Sequence, residues 1–204
     1  PPIVAATIMS YDCTSLVFAP YGEYWRQVRK ICVLELLSTK RVQSFRSIRE
    51  EEVYNLIEWI ASKTGSPINL TEKIISTTLS ITSKAVFGKK SKDQDNYISI
   101  IKETVEAAGG FCIEDVYPSL KWLHSIGGMK SKLKKLQQEV DRILGNIINE
   151  HKVGKLTKND GEAYEDLIDV HLKYQEQGNP EFYLTTDNIK AVLHVSVIFL
   201  SACF

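Results

Sequence analysis

Apolar residues recur at helical spacing along most of this chain, and no stretch alternates in the way a half-buried strand requires. From Arg41 to Ile60 the series Val42, Phe45, Ile48, Val53, Leu56, Ile57 and Ile60 marks one apolar face, with Glu50, Glu51 and Glu52 between. Gly65-Ser66-Pro67 ends that helix. Asn69 then stands three residues before Glu72, an N-cap followed by an acid that can reach back to it. The stretch from Leu70 to Phe87 is rich in Ser, Thr and Ile, and its length predicts a buried helix closed by Gly88.

Tyr97 to Ala108 reads as a further helix, stopped by Gly109-Gly110, and residues 111–128 as an irregular apolar connection. The clearest pattern comes next. Leu133, Leu136, Val140, Ile143, Leu144, Ile147 and Ile148 form a single stripe, with Lys132, Lys134, Lys135, Glu139, Asp141 and Arg142 around it. Gly154 to Glu162 is expected to be a charged loop, and Glu165 to Gln177 a short helix. Thr185-Thr186-Asp187 caps a last helix, with Asp187 near the positive end of its dipole. The class is mainly α, in one domain spanning 1–204.

That last helix changes the picture of the chain. Its run from Ala191 to Phe204 holds no Asp, Glu, Lys or Arg, is too short for a membrane span, and suits a core helix. The chain opens Pro1-Pro2-Ile3 without Met or a signal-like segment and stops inside that run. It is therefore expected to be a piece of a larger protein, truncated at both ends. An isolated chain is expected to expose the apolar sides of the last helix.

Composition excludes several classes. The 204 residues are 44% hydrophobic and 25% charged, an ordinary globular mix. Twenty-five basic and 25 acidic residues cancel, so no overall field favours nucleic acid. Cys13, Cys32, Cys112 and Cys203 show no C-x-x-C and read as reduced, mostly buried thiols. His124, His151, His171 and His194 have no zinc spacing and read as surface or capping residues, so no metal site is assembled. Phosphate-binding glycine loops and the G-x-S-x-G elbow are absent. Asn69-Leu70-Thr71 matches a glycosylation sequon, but capping explains Asn69 better.

Candidate chemistry sits in residues 18–31, Phe-Ala-Pro-Tyr-Gly-Glu-Tyr-Trp-Arg-Gln-Val-Arg-Lys-Ile. Trp25 and Arg29 stand at i and i+4 on a helix starting near Tyr24. An indole N–H and a guanidinium on one face can both donate to a single anionic group, or can simply stack as a cation–π pair. From Arg26 to Arg49 seven basic residues face only Glu35, a net of +6. Such a face suits an acidic partner or plain solvation.

This string, with Leu34-Glu-Leu-Leu-Ser-x-Lys-Arg-Val-Gln-Ser-Phe-Arg46, closely resembles the helix C region of plant microsomal cytochromes P450, most of all the terpenoid-oxidising group. The resemblance continues through Ile48-Arg-Glu-Glu-Glu52, Ala85-Val-Phe-Gly88, Asp166-Leu-Ile-Asp169 and Leu184-Thr-Thr-Asp-Asn-Ile-Lys-Ala-Val192, over about nine-tenths of the chain. It implies a partial cytochrome P450 fold, helices C to I, around a haem. Trp25 and Arg29 match residues that hydrogen-bond a haem propionate. Ile8, Ser10, Val17 and Phe111 fall in regions that line the substrate pocket.

The same resemblance implies a monooxygenase in complete form, inserting oxygen from O₂ into a small apolar substrate. Electrons would come from NADPH through a separate reductase that docks on the basic face, with Arg26 and Lys30 as candidates. The complete protein would sit on the cytosolic face of the endoplasmic reticulum, held by an anchor preceding Pro1. Departures matter as well. After Val192 no Gly or Thr matches the oxygen-activating kink, and none of the four Cys lies in a thiolate-ligand loop, so this chain contains no catalytic residue of that family. Cys32, three residues after Arg29, is the least implausible substitute, though burial would keep its thiol protonated. The alternative is a non-catalytic helical protein that binds an apolar ligand or a reductase.

Overall fold

The computed structural model describes residues 3–88, 94–109, 115, 128–157, 166–177 and 183–202. The described residues are helical, without strands. In chain order the helices are α1 (Val4–Met9), α2 (Glu23–Ile31), α3 (Thr39–Ser44), α4 (Arg46–Ser62), α5 (Leu70–Phe87), α6 (Gln94–Ala108), α7 (Met129–Thr157), α8 (Leu167–Gln177) and α9 (Thr186–Ala202), with a π-helical turn over Cys32–Leu36.

The predicted limits of α5 are those observed, because both ends carry their own stop. Asn69 Oδ1 accepts the Glu72 N–H at 3.1 Å, and Gly88 leaves the helix at φ 75°. A side chain at 88 would also collide with Asp166, whose Oδ2 lies 2.9 Å from where its Cβ would be. The hydroxyls that made α5 ambiguous turn inward and bond their own helix, Thr78 Oγ1 to Ile74 O and Thr82 Oγ1 to Thr78 O. At the start of α9 the Thr185 Oγ1 accepts the Asn188 N–H, and Asn188 Oδ1 accepts the Thr185 N–H, a reciprocal cap.

Elsewhere the structure departs from the pattern. The helix expected from Arg41 to Ile60 is two helices, broken at Phe45 (φ −89°, ψ 10°), because Ser38 caps a short first piece by accepting the Arg41 N–H. Helix α7 runs through Gly154 to Thr157, so the charged loop starts later than its glycine suggested. A helical glycine costs about 1 kcal/mol, which a 29-residue helix on a continuous core stripe absorbs. The expected connection over residues 111–128, with Trp122 and His124, lies outside the described residues apart from Asp115 and Gly128.

The core is built on α7 and α9. All seven residues of the α7 stripe are buried, against Tyr97, Ile100 and Ile101 of α6, Leu167, Ile168 and Leu172 of α8, and Ile189, Leu193 and Val197 of α9. Helix α1 adds Ala5 and Met9 on the same side. A second cluster of Val28, Cys32 and Val192, with Leu16 and Tyr24 against it, seats α2 on α9. The described middle of α9 is therefore covered: from Ile189 to Val195 every residue is buried. Over that described stretch the expected exposure of the apolar sides of α9 is not found.

Exposed apolar side chains lie instead on α4 and α5. Of the series expected to form a buried face, only Ile48 is buried, while Val42, Val53, Ile57 and Ile60 are exposed. Helix α4 meets α5 through a polar contact, Lys84 with Glu52 at 2.6 Å and Glu51 at 3.1 Å, which leaves its apolar positions uncovered by the described residues. Tyr54 on α4, and Leu70, Ile74 and Ile75 on α5, are exposed as well.

Expressed by itself, the chain should self-associate and bind an environment-sensitive apolar dye. Replacing Ile57 and Ile74 together by Lys should suppress both effects and leave the helical circular dichroism unchanged. A wild-type chain that is monomeric and dye-silent would contradict this assignment of the exposed surface.

Candidate functional site

Helix α2 begins after Pro20-Tyr21-Gly22 and is held by its inner face, where Val28 and Ile31 are buried. Trp25 and Arg29 lie on another side. The Arg29 guanidinium carbon stands 5.1 Å from the Trp25 ring centroid, and the Tyr21 ring packs against that indole, tilted, at 5.3 Å between centroids. Among the described residues no carboxylate pairs with the exposed Arg29. Trp25 Nε1 donates to the Leu16 carbonyl at 3.0 Å. The i, i+4 spacing thus brings the two together as expected, with one donor open and the other engaged to the backbone of the preceding connection.

The neighbouring cations differ. Arg26 pairs with Glu23 at 3.0 Å, donates to the Tyr21 hydroxyl and lies over the Tyr21 ring. Lys30 is exposed in the last turn of α2.

The thiols lie inward. Cys13 and Cys32 are free and buried, whereas Cys112 and Cys203 lie outside the described residues. Burial pushes the Cys32 thiol up to about 12, so it stays protonated at neutral pH.

Of the residues expected to line a substrate pocket, Ile8 is half-buried and packs against the main core. Ser10 is fully buried with its Oγ donating to Ala6 O at 2.6 Å, and Val17 is exposed. Phe111 lies outside the described residues. Two clefts of about 480 and 340 Å³ lie among α4, α5 and α6 and share no residue with this set. Between Ile8 and Val17 the chain makes an unusual turn: Tyr11, Asp12 and Cys13 have φ of 52°, 56° and 61°. Left-handed backbone at residues carrying a Cβ costs roughly 1–3 kcal/mol each and needs support from outside.

Two described histidines, His171 and His194, correct the reading of them as surface or capping groups. His171 is buried with Nδ1 2.8 Å from Leu167 O. His194 is fully buried beside Tyr97, whose hydroxyl lies 3.0 Å from His194 Nδ1. Burial lowers the His194 pKa to about 4, so the ring is neutral. His194 lies within the charge-free run, where apolar neighbours on both sides were the available signal.

His151 is different. Its Nδ1 lies 2.8 Å from the Ile147 carbonyl and its Nε2 2.8 Å from Asp166 Oδ2. His151, Asp166 and Asp169 bring ligand atoms within 4.8 Å of one another, the spacing a metal ion could use. Both ring nitrogens face acceptors, however, so the ring carries two protons and the contact is an ion pair between α7 and the start of α8. Asp166 also accepts the Asp169 N–H at 3.0 Å, capping α8.

With this geometry in hand, comparison with known proteins gives the class. The family model for cytochrome P450 matches residues 2–199, and the chain belongs to that family. It is 50% identical over 196 residues to a melianol synthase of Citrus sinensis, covering 94% of this chain and 38% of that protein. It is 46% identical over 197 residues to premnaspirodiene oxygenase of Hyoscyamus muticus, covering 95% and 39%, and 44% identical over 194 residues to germacrene A hydroxylase of Tanacetum parthenium, covering 95% and 38%. The chain thus spans about two fifths of the length of these relatives. A zebrafish cytochrome P450 in a structure with progesterone has the same fold over 96% of this chain and 44% of its own, with a TM-score of 0.74 at 18% identity.

The family implies a haem, and the residues present fit one end of it. The exposed Arg29 guanidinium, without a described carboxylate partner, is a suitable donor for a propionate, while the neighbouring Trp25 N–H would have to leave the Leu16 carbonyl to join it. Both described cysteines are buried, and burial pushes the Cys32 thiol up.

The ion pair at His151 sets a pH dependence. Burial alone would lower the His151 pKa, but the Asp166 hydrogen bond and charge, the Ile147 carbonyl and Asp169 outweigh it and raise it to about 9. A raised histidine contributes stability that is complete below its unfolded value near 6.5 and is lost as pH rises through about 9. Solvent screening keeps this contribution on the order of 1–2 kcal/mol. Urea unfolding of the wild type should therefore show a loss of that size between pH 6.5 and 9.5, absent from His151→Ala. A flat profile, or a gain over that window, would contradict the pairing.

Proposed function

We propose that the whole protein of which this chain forms part is a haem-thiolate monooxygenase acting on a small apolar substrate of terpenoid type. The observation that carries this reading is the identity of 44–50%, over nearly the whole chain, to a melianol synthase, an oxygenase and a hydroxylase whose names specify terpenoid chemistry. When bound, a thiolate-ligated haem supplies the activation of O₂, with electrons from NADPH through a reductase. Trp25 and Arg29 would hold a haem propionate, Arg29 with its open guanidinium and Trp25 after exchanging the Leu16 carbonyl for it. The segment holding Ile8, Ser10 and Val17 would line the pocket together with Phe111. The reductase would meet the basic surface of α2, through Lys30 more than Arg26, whose charge is already paired with Glu23. The whole protein would lie on the cytosolic face of the endoplasmic reticulum membrane. In the described residues no helix is long and apolar enough to cross a membrane.

By itself, the chain is not a working monooxygenase on this reading. An electron-rich thiolate must push on the iron, and none of the four Cys lies in a loop that matches the family's thiolate-ligand motif.

Two measurements test the reading. In the whole protein, Arg29→Ala should remove a charge-assisted bond of about 1.5–3 kcal/mol and speed haem loss about tenfold or more. Unchanged haem content and loss rate would sink the role of Arg29. The isolated chain, mixed with haem, reduced and exposed to carbon monoxide, should give no thiolate-type Soret band. Such a band, or product formed with reductase and NADPH, would show that the chain alone carries the chemistry.

A further inference from the structure

Three successive left-handed residues, none of them glycine, make the turn at Tyr11, Asp12 and Cys13 a conformation its surroundings must impose. Bonds inside the turn are local: the Asp12 N–H donates to Thr7 O, the Thr14 N–H to Ser10 O, and Thr14 Oγ1 to Tyr11 O. One tie reaches across the molecule. The Tyr11 hydroxyl donates to Asp141 Oδ1 on α7 at 2.9 Å, and the same oxygen receives the Lys190 ammonium from α9 at 2.6 Å.

Lys190 explains why that acceptor is fixed. Its side chain is only 11% exposed, on a helix whose following run carries no other charged residue, and a buried ammonium must be paired. Asp141 is therefore held between α7 and α9 whether or not Tyr11 is present. Burial, then the Asp141 charge and hydrogen bond, push the Tyr11 phenol far above its ordinary range, so it remains a donor.

We infer that Tyr11, bonded to Asp141 and through it to Lys190, is a positioning residue that holds the connection between α1 and α2 against the helical core, and that this hold sets the affinity of the whole protein for its apolar ligand. The inference rests on the proposed reading that Ile8, Ser10 and Val17 belong to a pocket wall. The turn sits between Ser10 and Val17. Helix α1 is anchored before it by Ala5 and Met9, and Tyr24 holds the segment after it by donating to Thr14 O. Between those anchors the Tyr11 hydroxyl ties the wall to the core. Cys13 supplies a built-in reporter, since it is buried within the turn and protected while the turn is closed.

The test uses the whole haem-loaded protein and Tyr11→Phe, which removes the hydroxyl and keeps the ring. Cys13 alkylation is followed by peptide mass spectrometry, and affinity by optical titration with premnaspirodiene, germacrene A and progesterone. The variant should keep its haem content, alkylate at Cys13 about tenfold faster, and bind whichever probe the wild type binds about five- to tenfold more weakly. KM should rise with that loss and kcat stay within about twofold. Unchanged Cys13 alkylation would overturn the inference, as would faster alkylation with unchanged affinity, or weaker binding in proportion to lost haem. A wild type that takes up haem but binds none of the probes overturns the terpenoid reading itself, a failure seen without the variant.

Discussion

Helix α9 carries one cation and then a run without charge, and a helix of that kind has to be covered on every side. Most of the described architecture follows from that requirement. Helices α5, α7 and α8 enclose it, and α2 closes a further side through Val28 and Cys32 on Val192. Burying the inner face of α2 fixes the opposite result for its other side. Trp25 and Arg29 lie off that buried face, stacked on each other, with Trp25 half-buried and Arg29 exposed. Lys190, the single cation on the covered stretch, needs Asp141, and that pair in turn gives Tyr11 its acceptor.

Legibility in the sequence tracked how local each stabilising contact is. Helix α5 was readable to the residue because Asn69 and Gly88 act within one turn of its ends. The α7 stripe was readable because seven apolar residues share a face that is wholly buried. The face of α4 misled for the converse reason: periodicity reports an apolar side but not whether a neighbour covers it, and Lys84 draws α4 onto α5 through Glu51 and Glu52 instead. Phe45 and Gly154 misled because a break or its absence was decided by a cap and by packing rather than by the residue itself. The left-handed turn at Tyr11 has no glycine to announce it, and its support comes from 130 residues away.

The candidate site divides the same way. A spacing of four placed Trp25 and Arg29 together from sequence, and the resemblance gave them a ligand. Spacing could not show that the Trp25 N–H bonds Leu16, or that Arg26 is neutralised by Glu23 and stacked on Tyr21. Nor could it separate the histidines, which differ by what faces each ring nitrogen: acceptors on both sides of His151, a phenol and apolar walls around His194.

The dependence of the fold on α9 is open to one direct measurement, amide hydrogen exchange resolved along the chain. Amides of α9 from Ile189 to Val197 should be among the slowest, together with Val28 on α2 and the α7 stripe, while α4 exchanges much faster. Exchange across α9 as fast as in α4 would contradict the claim that its burial organises the structure.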